Sequence, residues 1–341
     1  MGRFSTASAL ASAAAIVAVF SAGAARALTI VPTFDISIVN SDNAAAIEGN
    51  INSALQFYDT TFSNPERVKI DFQISASVGG GQSQTTLYYL PVASYISRLA
   101  TVAAADPQNS VLQSASAFSA TGNASTHPTS NIYGTSAELT ALGYNTSGGL
   151  TASGTSGGSF DGVVTANSGL NFADTATSSQ VNAISTFEHE IDEVLGIGGS
   201  GSLLDAQAQF PNSLGVLDLY RYSAPGVPSL TTSTTATSYL SFDGGVTQIG
   251  SFNQSGSGDI GDWADFGSSC VGALVQNYSE CLGSPVISLN RASPEVVALE
   301  GIGYNLTAAI PEPATWALML AGFGAIGGAL RRRHHDFALP V

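Results

Sequence analysis

The sequence predicts an α+β domain in which a mixed β-sheet carries a helix on one face. Three observations point that way. The chain opens in the order strand, helix, strand; a long amphipathic helix stands near residue 190; and the stretch beyond it breaks into many short, Gly-punctuated segments.

Taken in order, residues 28–38 form an apolar, partly alternating strand. Residues 43–57 follow with Ala46, Ile47, Ile51, Ala54 and Leu55 at helical spacing, and 68–74 alternates apolar and polar as a half-buried strand does. Short helices are expected at 94–105 and 135–142. The Gly, Ser and Thr of 143–160 read as an exposed loop or hairpin or, alternatively, as a linker between two lobes, and 160–164 reads as a turn entering a strand. A helix is expected at 180–195 with Ser178 or Ser179 as its N-cap. Its Val181, Ile184, Phe187, Ile191, Val194 and Leu195 fall in one core-facing stripe, and Gly196 ends it. A last short helix is expected at 294–302.

Both ends carry targeting signals. Arg3, a long run of small and apolar residues and the Ala25-Arg26-Ala27 box make residues 1–27 a signal peptide, cut by signal peptidase after Ala27. At the other end Pro311-Glu312-Pro313 precedes an apolar run over 314–330 and then Arg331, Arg332 and Arg333. At about 1.5 Å per residue that run reaches about 25 Å, enough for a single C-terminal transmembrane helix in a thin bilayer, with the arginines as a cytoplasmic stop. Residues 311–335 closely resemble the PEP-CTERM sorting signal of Gram-negative bacteria. The resemblance implies an exosortase-type sorting enzyme as partner, transient anchoring in the inner membrane, and delivery to the cell surface or extracellular matrix.

Between the ends, residues 28–308 hold 5 basic and 23 acidic side chains, a formal charge of −18. Such a field repels nucleic acid and draws in cations. Cys270 and Cys281 are the only cysteines, and in an oxidising compartment an even pair is expected to form one disulfide.

The helix at 180–195 carries the chemistry. In His189-Glu190-Ile191-Asp192-Glu193-Val194-Leu195-Gly196, His189 and Glu193 stand one turn apart on the side away from the apolar stripe, where an imidazole nitrogen and a carboxylate oxygen can share one ion. Glu190, offset by one residue, suits a base acting on metal-activated water. The pattern is similar to the zinc-protease motif His-Glu-x-x-His, with Glu193 in place of the second histidine. The plain alternative is that Glu188, Glu190, Asp192 and Glu193 are the wet face of an amphipathic helix. Other histidines are scarce: His127 lies in a Thr- and Pro-rich stretch and His334 and His335 follow the apolar tail, so a metal site here has to be rich in carboxylates.

This helix resembles that of a zincin-like, distantly metzincin-related group of metalloproteases found among PEP-CTERM-sorted proteins. Segments 217–223, 239–245, 259–265 and 297–304 resemble the sequences that follow it there, and 28–308 would then be one zincin-like domain. In a metzincin a glycine breaks the helix seven residues after the first histidine and a third ligand follows three residues later. Gly196 meets the first condition, but Gly199 fills the ligand place. For the third ligand, Asp218 in the polar and aromatic run Asp218-Leu219-Tyr220-Arg221-Tyr222 is the first choice and Asp205 the next. Tyr220 or Tyr222 would donate to a developing oxyanion. Asp259, Asp262 and Asp265, every third residue in a Gly-rich stretch, are candidates for calcium.

The leading expectation is an exported zinc-dependent endopeptidase acting on a protein or peptide substrate. Its main rival is a catalytically inactive surface or matrix protein on the same scaffold, and a carbohydrate-binding or adhesive module is a third class. A deep cleft containing Glu190 favours the first, a closed surface the second.

Overall fold

A computed structural model describes residues 27–119, 131–173, 181–266, 270–282, 287–307, 319–320, 322–327 and 331. The architecture is mixed α and β, as the alternation of strand and helix patterns requires. The main sheet runs β1-β2-β6-β3: β1 (Thr29–Phe34), β2 (Arg67–Ser75) and β6 (Gly162–Asn167) are parallel, and β3 (Gly81–Thr85) closes the edge antiparallel to β6. Pro32, which has no N–H to give, is accommodated because β1 is the opposite edge.

The opening strand stops at Phe34, short of the expected Ile38. Asp35 takes an extended conformation and accepts the Ser37 N–H at 2.7 Å, turning the chain into the one-turn helix α1 (Ile36–Val39). Helix α2 (Ala44–Thr61) then crosses the sheet and buries Ile47, Ile51, Ala54, Leu55 and Tyr58.

Beside this sheet stands a smaller one ordered β4-β5-β7, made of β4 (Leu87–Pro91), β5 (Asn131–Thr135) and β7 (Ser213–Gly215). Helices α3 (Val92–Ala105) and α5 (Ser136–Ala141) match the two expected short helices, whereas α4 (Ser110–Ser119) was not anticipated. A third set of short strands, β8 (Arg221–Ala224), β9 (Val227–Pro228), β10 (Tyr239–Leu240) and β11 (Gly250–Ser251), is followed by α7 (Pro294–Ile302). One hydrophobic cluster runs from Leu28 to Tyr304.

Helix α6 (Ala183–Leu195) lies against β3, β6 and α2. It begins later than the expected residue 180, because Asn182 is extended and its side chain accepts the Ile184 N–H at 2.9 Å, fixing the first turn there. Ser178 and Ser179 lie outside the described residues. At the other end Gly196 adopts φ 112°, a left-handed cap that a side chain would strain. Phe187 meets Phe72 of β2 edge-on with centroids 6.0 Å apart. The helix can approach β6 closely because Gly162 has no side chain; a Cβ there would sit 2.4 Å from Val194 Cγ2.

The expected signal peptide, His127 and most of the expected transmembrane run lie outside the described residues. Within that run, residues 319–320 and 322–327 are helical and exposed. Among the described residues no helix is long and apolar enough to cross a membrane.

Candidate metal centre

The polar side of α6 is not wet. Glu188, Glu190, Asp192 and Glu193 are all under 7 % exposed, and the His189 side chain is 17 % exposed. Their cover comes from β3, from Tyr58 of α2 and from the residues described at 259–266, 274–280 and 287–289. Burial without a cation disfavours ionised carboxylates, so the surroundings decide what each group does.

His189 is oriented by its Nδ1, which stands 2.9 Å from the Val275 carbonyl. A carbonyl only accepts, so Nδ1 carries the proton and donates, and Nε2 is the atom left to face the site. Glu193 Oε1 and Asp262 Oδ2 each lie 3.7 Å from Nε2. One ligand atom from each of the three residues falls within 4.8 Å of the others. Two ligands on one tetrahedral zinc ion stand about 3.4 Å apart, so each carboxylate oxygen needs to move only a few tenths of an ångström relative to Nε2 to share a divalent ion with it.

The two carboxylates are held from behind. Ser83 Oγ of the edge strand donates to Glu193 Oε2 at 2.5 Å, and the Gly199 N–H donates to Glu193 Oε1 at 3.2 Å. Gln276 Nε2 donates to Asp262 Oδ1 at 3.0 Å, leaving Oδ2 toward His189. One carboxylate oxygen of buried Glu295 accepts both the Trp263 indole N–H at 3.1 Å and the Gln276 N–H at 3.0 Å, tying the segment of Asp262 to that of Val275.

Charge is crowded here. Burial would lower the His189 pKa, but the negative charges of Asp262, Glu193 and Glu190 around it together raise it well above its usual value. Burial pushes Asp262 up to about 7 against the pull of His189, and pushes Asp259 up to about 6 with help from Glu193 and Asp205. Glu190 is raised well above the carboxylate range, first by burial and then by Glu193. Its Oε2 has no hydrogen-bond partner among the described residues. The side chain lies against Gly81, where a Cβ would stand 2.2 Å from Glu190 Oε1.

The remaining candidates are placed elsewhere. Asp218 does not join His189: it is fully buried, accepts from Ser202 Oγ at 2.5 Å, Leu203 N at 3.0 Å and Gly215 N at 2.9 Å, and faces Arg221 at 3.9 Å. It is occupied in closing a loop. Asp205 is exposed and acts on Asp259 and Arg221 only through its charge. Tyr220 is packed edge-on against Phe242 with centroids 4.7 Å apart, and Tyr222 pairs with Tyr239 in the third sheet, so neither faces His189.

Asp259, Asp262 and Asp265 do not converge on one point: Asp262 turns to His189, Asp265 accepts from Ser279 Oγ at 2.9 Å, and Asp259 Oδ2 borders Gly199. Cys270 and Cys281 form the expected disulfide. The sequence reading missed Asp262 as the partner of His189, together with Ser83, Val275 and Gln276 behind it. In sequence Asp262 stands out only as one of three carboxylates at every third residue, suited to calcium rather than to a site shared with His189.

A narrow cavity of about 30 Å³, room for about one water, opens beside the cluster, with His189 in its wall and Glu190 not among its lining.

Comparison with known proteins bears on one end of the chain. Neither a curated protein nor a solved structure matches it. Residues 309–333 match the PEP-CTERM protein-sorting motif, so the C-terminal segment is a sorting signal whose processing partner is an exosortase-type enzyme, and the chain is exported through membrane-anchored sorting in a Gram-negative bacterium.

Proposed function

We propose that residues 28–308 form a zinc-dependent endopeptidase of zincin-like, metzincin-related type, anchored at the inner membrane by residues 314–330 until sorting and then working at the cell surface or in the extracellular matrix. The observation that carries this reading is the meeting of His189 Nε2, Glu193 Oε1 and Asp262 Oδ2, backed by hydrogen bonds that leave those atoms turned toward one another.

His189, Glu193 and Asp262 would hold the ion, which supplies Lewis acidity to a peptide carbonyl and to water. The rest is done by the chain. Glu190 stands one residue from His189 on the same rigid helix with one oxygen unengaged, and its raised pKa suits a group that takes a proton from attacking water and returns it to the departing amine. Gly81 leaves its carboxylate room beside the edge strand.

A catalytically inactive surface or matrix protein is the second reading, and the 4 % exposure of Glu190 favours it. Metal analysis separates the two. The purified protein is expected to hold about one zinc per chain, to lose it in His189→Ala, and to retain it in Glu190→Gln while losing cleavage of an unfolded protein substrate. Absence of any divalent metal after refolding with zinc would overturn the peptidase reading.

A further inference from the structure

Two of the three residues proposed to hold the metal are oriented by one segment, and the disulfide closes that segment into a ring. Cys270 and Cys281, eleven positions apart, bracket it. Inside lie the Val275 carbonyl, which stands 2.9 Å from His189 Nδ1, and Gln276, whose Nε2 donates to Asp262 Oδ1 at 3.0 Å. Next to Cys281, Glu280 accepts from Thr186 Oγ1 of α6 at 3.0 Å. The ring therefore reaches both the helix that carries His189 and the segment that carries Asp262.

Regular structure does not give the ring its shape. Residues 270–281 contain neither helix nor strand, and Val271 is 80 % exposed. Val275 and Cys281 are its buried apolar side chains, beside the buried polar Gln276 and Asn277. Single hydrogen bonds tie it down: the Trp263 N–H to the Gln276 carbonyl at 2.8 Å, the Tyr278 N–H to the Trp263 carbonyl at 3.0 Å, and the Gln276 N–H to Glu295 at 3.0 Å. An irregular segment held this way opens locally at low cost, and a cross-link between its ends removes many of the open conformations.

The chain is exported, so it passes from a reducing cytoplasm to an oxidising compartment. We propose that closure of the Cys270–Cys281 bond completes the metal centre, so that His189, Glu193 and Asp262 hold zinc tightly only after export. The inference rests on the metal-site reading above and not on turnover. In the closing step one cysteine thiolate attacks the disulfide of an oxidised dithiol carrier, forming a mixed disulfide and releasing one carrier thiolate. The second cysteine thiolate then attacks the protein sulfur of that mixed disulfide and releases the other. Two electrons pass from the cysteine pair to the carrier, and the two thiol protons end on the carrier's sulfurs.

Zinc affinity of the purified full chain, measured by chelator competition, tests this. The oxidised wild type is compared with a Cys270→Ala, Cys281→Ala double variant, which cannot close the ring and offers the ion no thiol. The variant should bind zinc about tenfold or more weakly, as when groups that orient ligands are lost. Amide hydrogen exchange of the metal-free proteins adds a readout that needs no ion. Residues 274–280 should exchange about tenfold or more faster in the variant, with residues 67–75 of β2 unchanged.

If the variant loses protection in β2 as well, the wild type carries the test. Loaded with zinc beside a dye too weak to strip the oxidised chain, it is treated with a phosphine reductant. Zinc should pass to the dye as the bond is cut, while residues 67–75 stay protected. Zinc affinity within twofold of wild type in the folded variant, unchanged exchange of residues 274–280, or zinc retained after the bond is cut overturns the inference and leaves the metal centre standing. An oxidised wild type that holds no zinc overturns the metal reading and this inference with it.

Discussion

Helix α6 carries two polar pairs at the same i, i+4 spacing, Glu188 with Asp192 and His189 with Glu193, displaced by one residue, and they have opposite fates. In the first, Glu188 Oε2 accepts the Leu289 N–H at 3.0 Å, and Tyr58 Oη lies 2.9 Å from Asp192 Oδ1 and 2.8 Å from the Glu188 carbonyl. A hydroxyl has one proton to give. Both Tyr58 contacts are satisfied together when Asp192 is protonated and donates to Tyr58 while Tyr58 donates to Glu188, which agrees with the burial that raises Asp192 well above its usual pKa. In the second pair, His189 Nε2 and Glu193 Oε1 stand 3.7 Å apart, too far to bond each other, with Asp262 Oδ2 completing the triangle. Spacing on a helix therefore does not make a metal site. What makes it is a cover that engages His189 Nδ1, Glu193 Oε2 and Asp262 Oδ1 and leaves Nε2, Oε1 and Oδ2 turned toward one another. Among the described residues the Gly199 N–H is the one donor that also reaches Oε1.

The largest expected effect divides the two pairs outright. Asp262→Ala should lower zinc affinity by about 100-fold or more, measured by chelator competition, with a small change in stability. Asp192→Ala should leave zinc affinity within about twofold and cost about 1–3 kcal/mol in denaturant unfolding, because Tyr58 and its neighbours lose a buried partner. If Asp192→Ala removes the metal, or Asp262→Ala leaves it, Glu188 and Asp192 are not a structural strut separate from the ligand pair.

The helix itself was legible. Phe187, Ile191, Val194 and Leu195 at helical spacing, Gly196 as a stop, and the His189-to-Glu193 step could all be read from the residues. The burial of its polar side could not, because besides Tyr58 of α2 it is covered by the edge strand at 81–85 and by residues 259–266, 274–280 and 287–289, which have no period that reveals what they pack on. The same limit misdirected the third ligand. Asp218 and Asp262 both sit in polar and aromatic runs, and only the fold shows Asp218 enclosed by Ser202, Leu203 and Gly215 while Asp262 keeps one oxygen toward His189. Helix α4 was missed because it is largely Ser and Ala and buries only Leu112, Ala115 and Ser119, too thin a stripe to stand out.

Support behind the ligands should be felt next. Gln276→Leu keeps the side-chain size but removes the donor to Asp262 Oδ1, and zinc affinity should fall by about 10- to 100-fold with the fold retained. An unchanged affinity would mean that Asp262 needs no orienting partner.

The strut pair has a pH signature of its own. Burial pushes Glu188 up to about 8 from 4.5. Below pH 4.5 it is protonated in both folded and unfolded chains and costs nothing; as pH rises from there through about 8 the unfolded chain releases the proton first, so stability is lost, by at most about 1.4 kcal/mol per pH unit. Glu188→Gln should flatten that part of the stability-against-pH curve, so the variant-minus-wild-type difference should rise between about pH 5 and 8. A difference curve with no slope between pH 5 and 8, on the order of the range just given, would show that Glu188 ionises freely in the fold.

The smallest effect is the most selective. Tyr58→Phe removes one hydroxyl from the strut and nothing from the site. The Glu188 carbonyl and Asp192 lose a shared partner, so unfolding should become easier by about 1 kcal/mol, the usual net worth of a buried hydrogen bond. Zinc affinity should not move, because Tyr58 touches neither His189, Glu193, Asp262 nor the groups that orient them. If the hydroxyl proves to matter for zinc, the two pairs are coupled through the helix backbone, and α6 has to be treated as one electrostatic unit in which protonation of Asp192 helps to set the charge that His189 and Glu193 present.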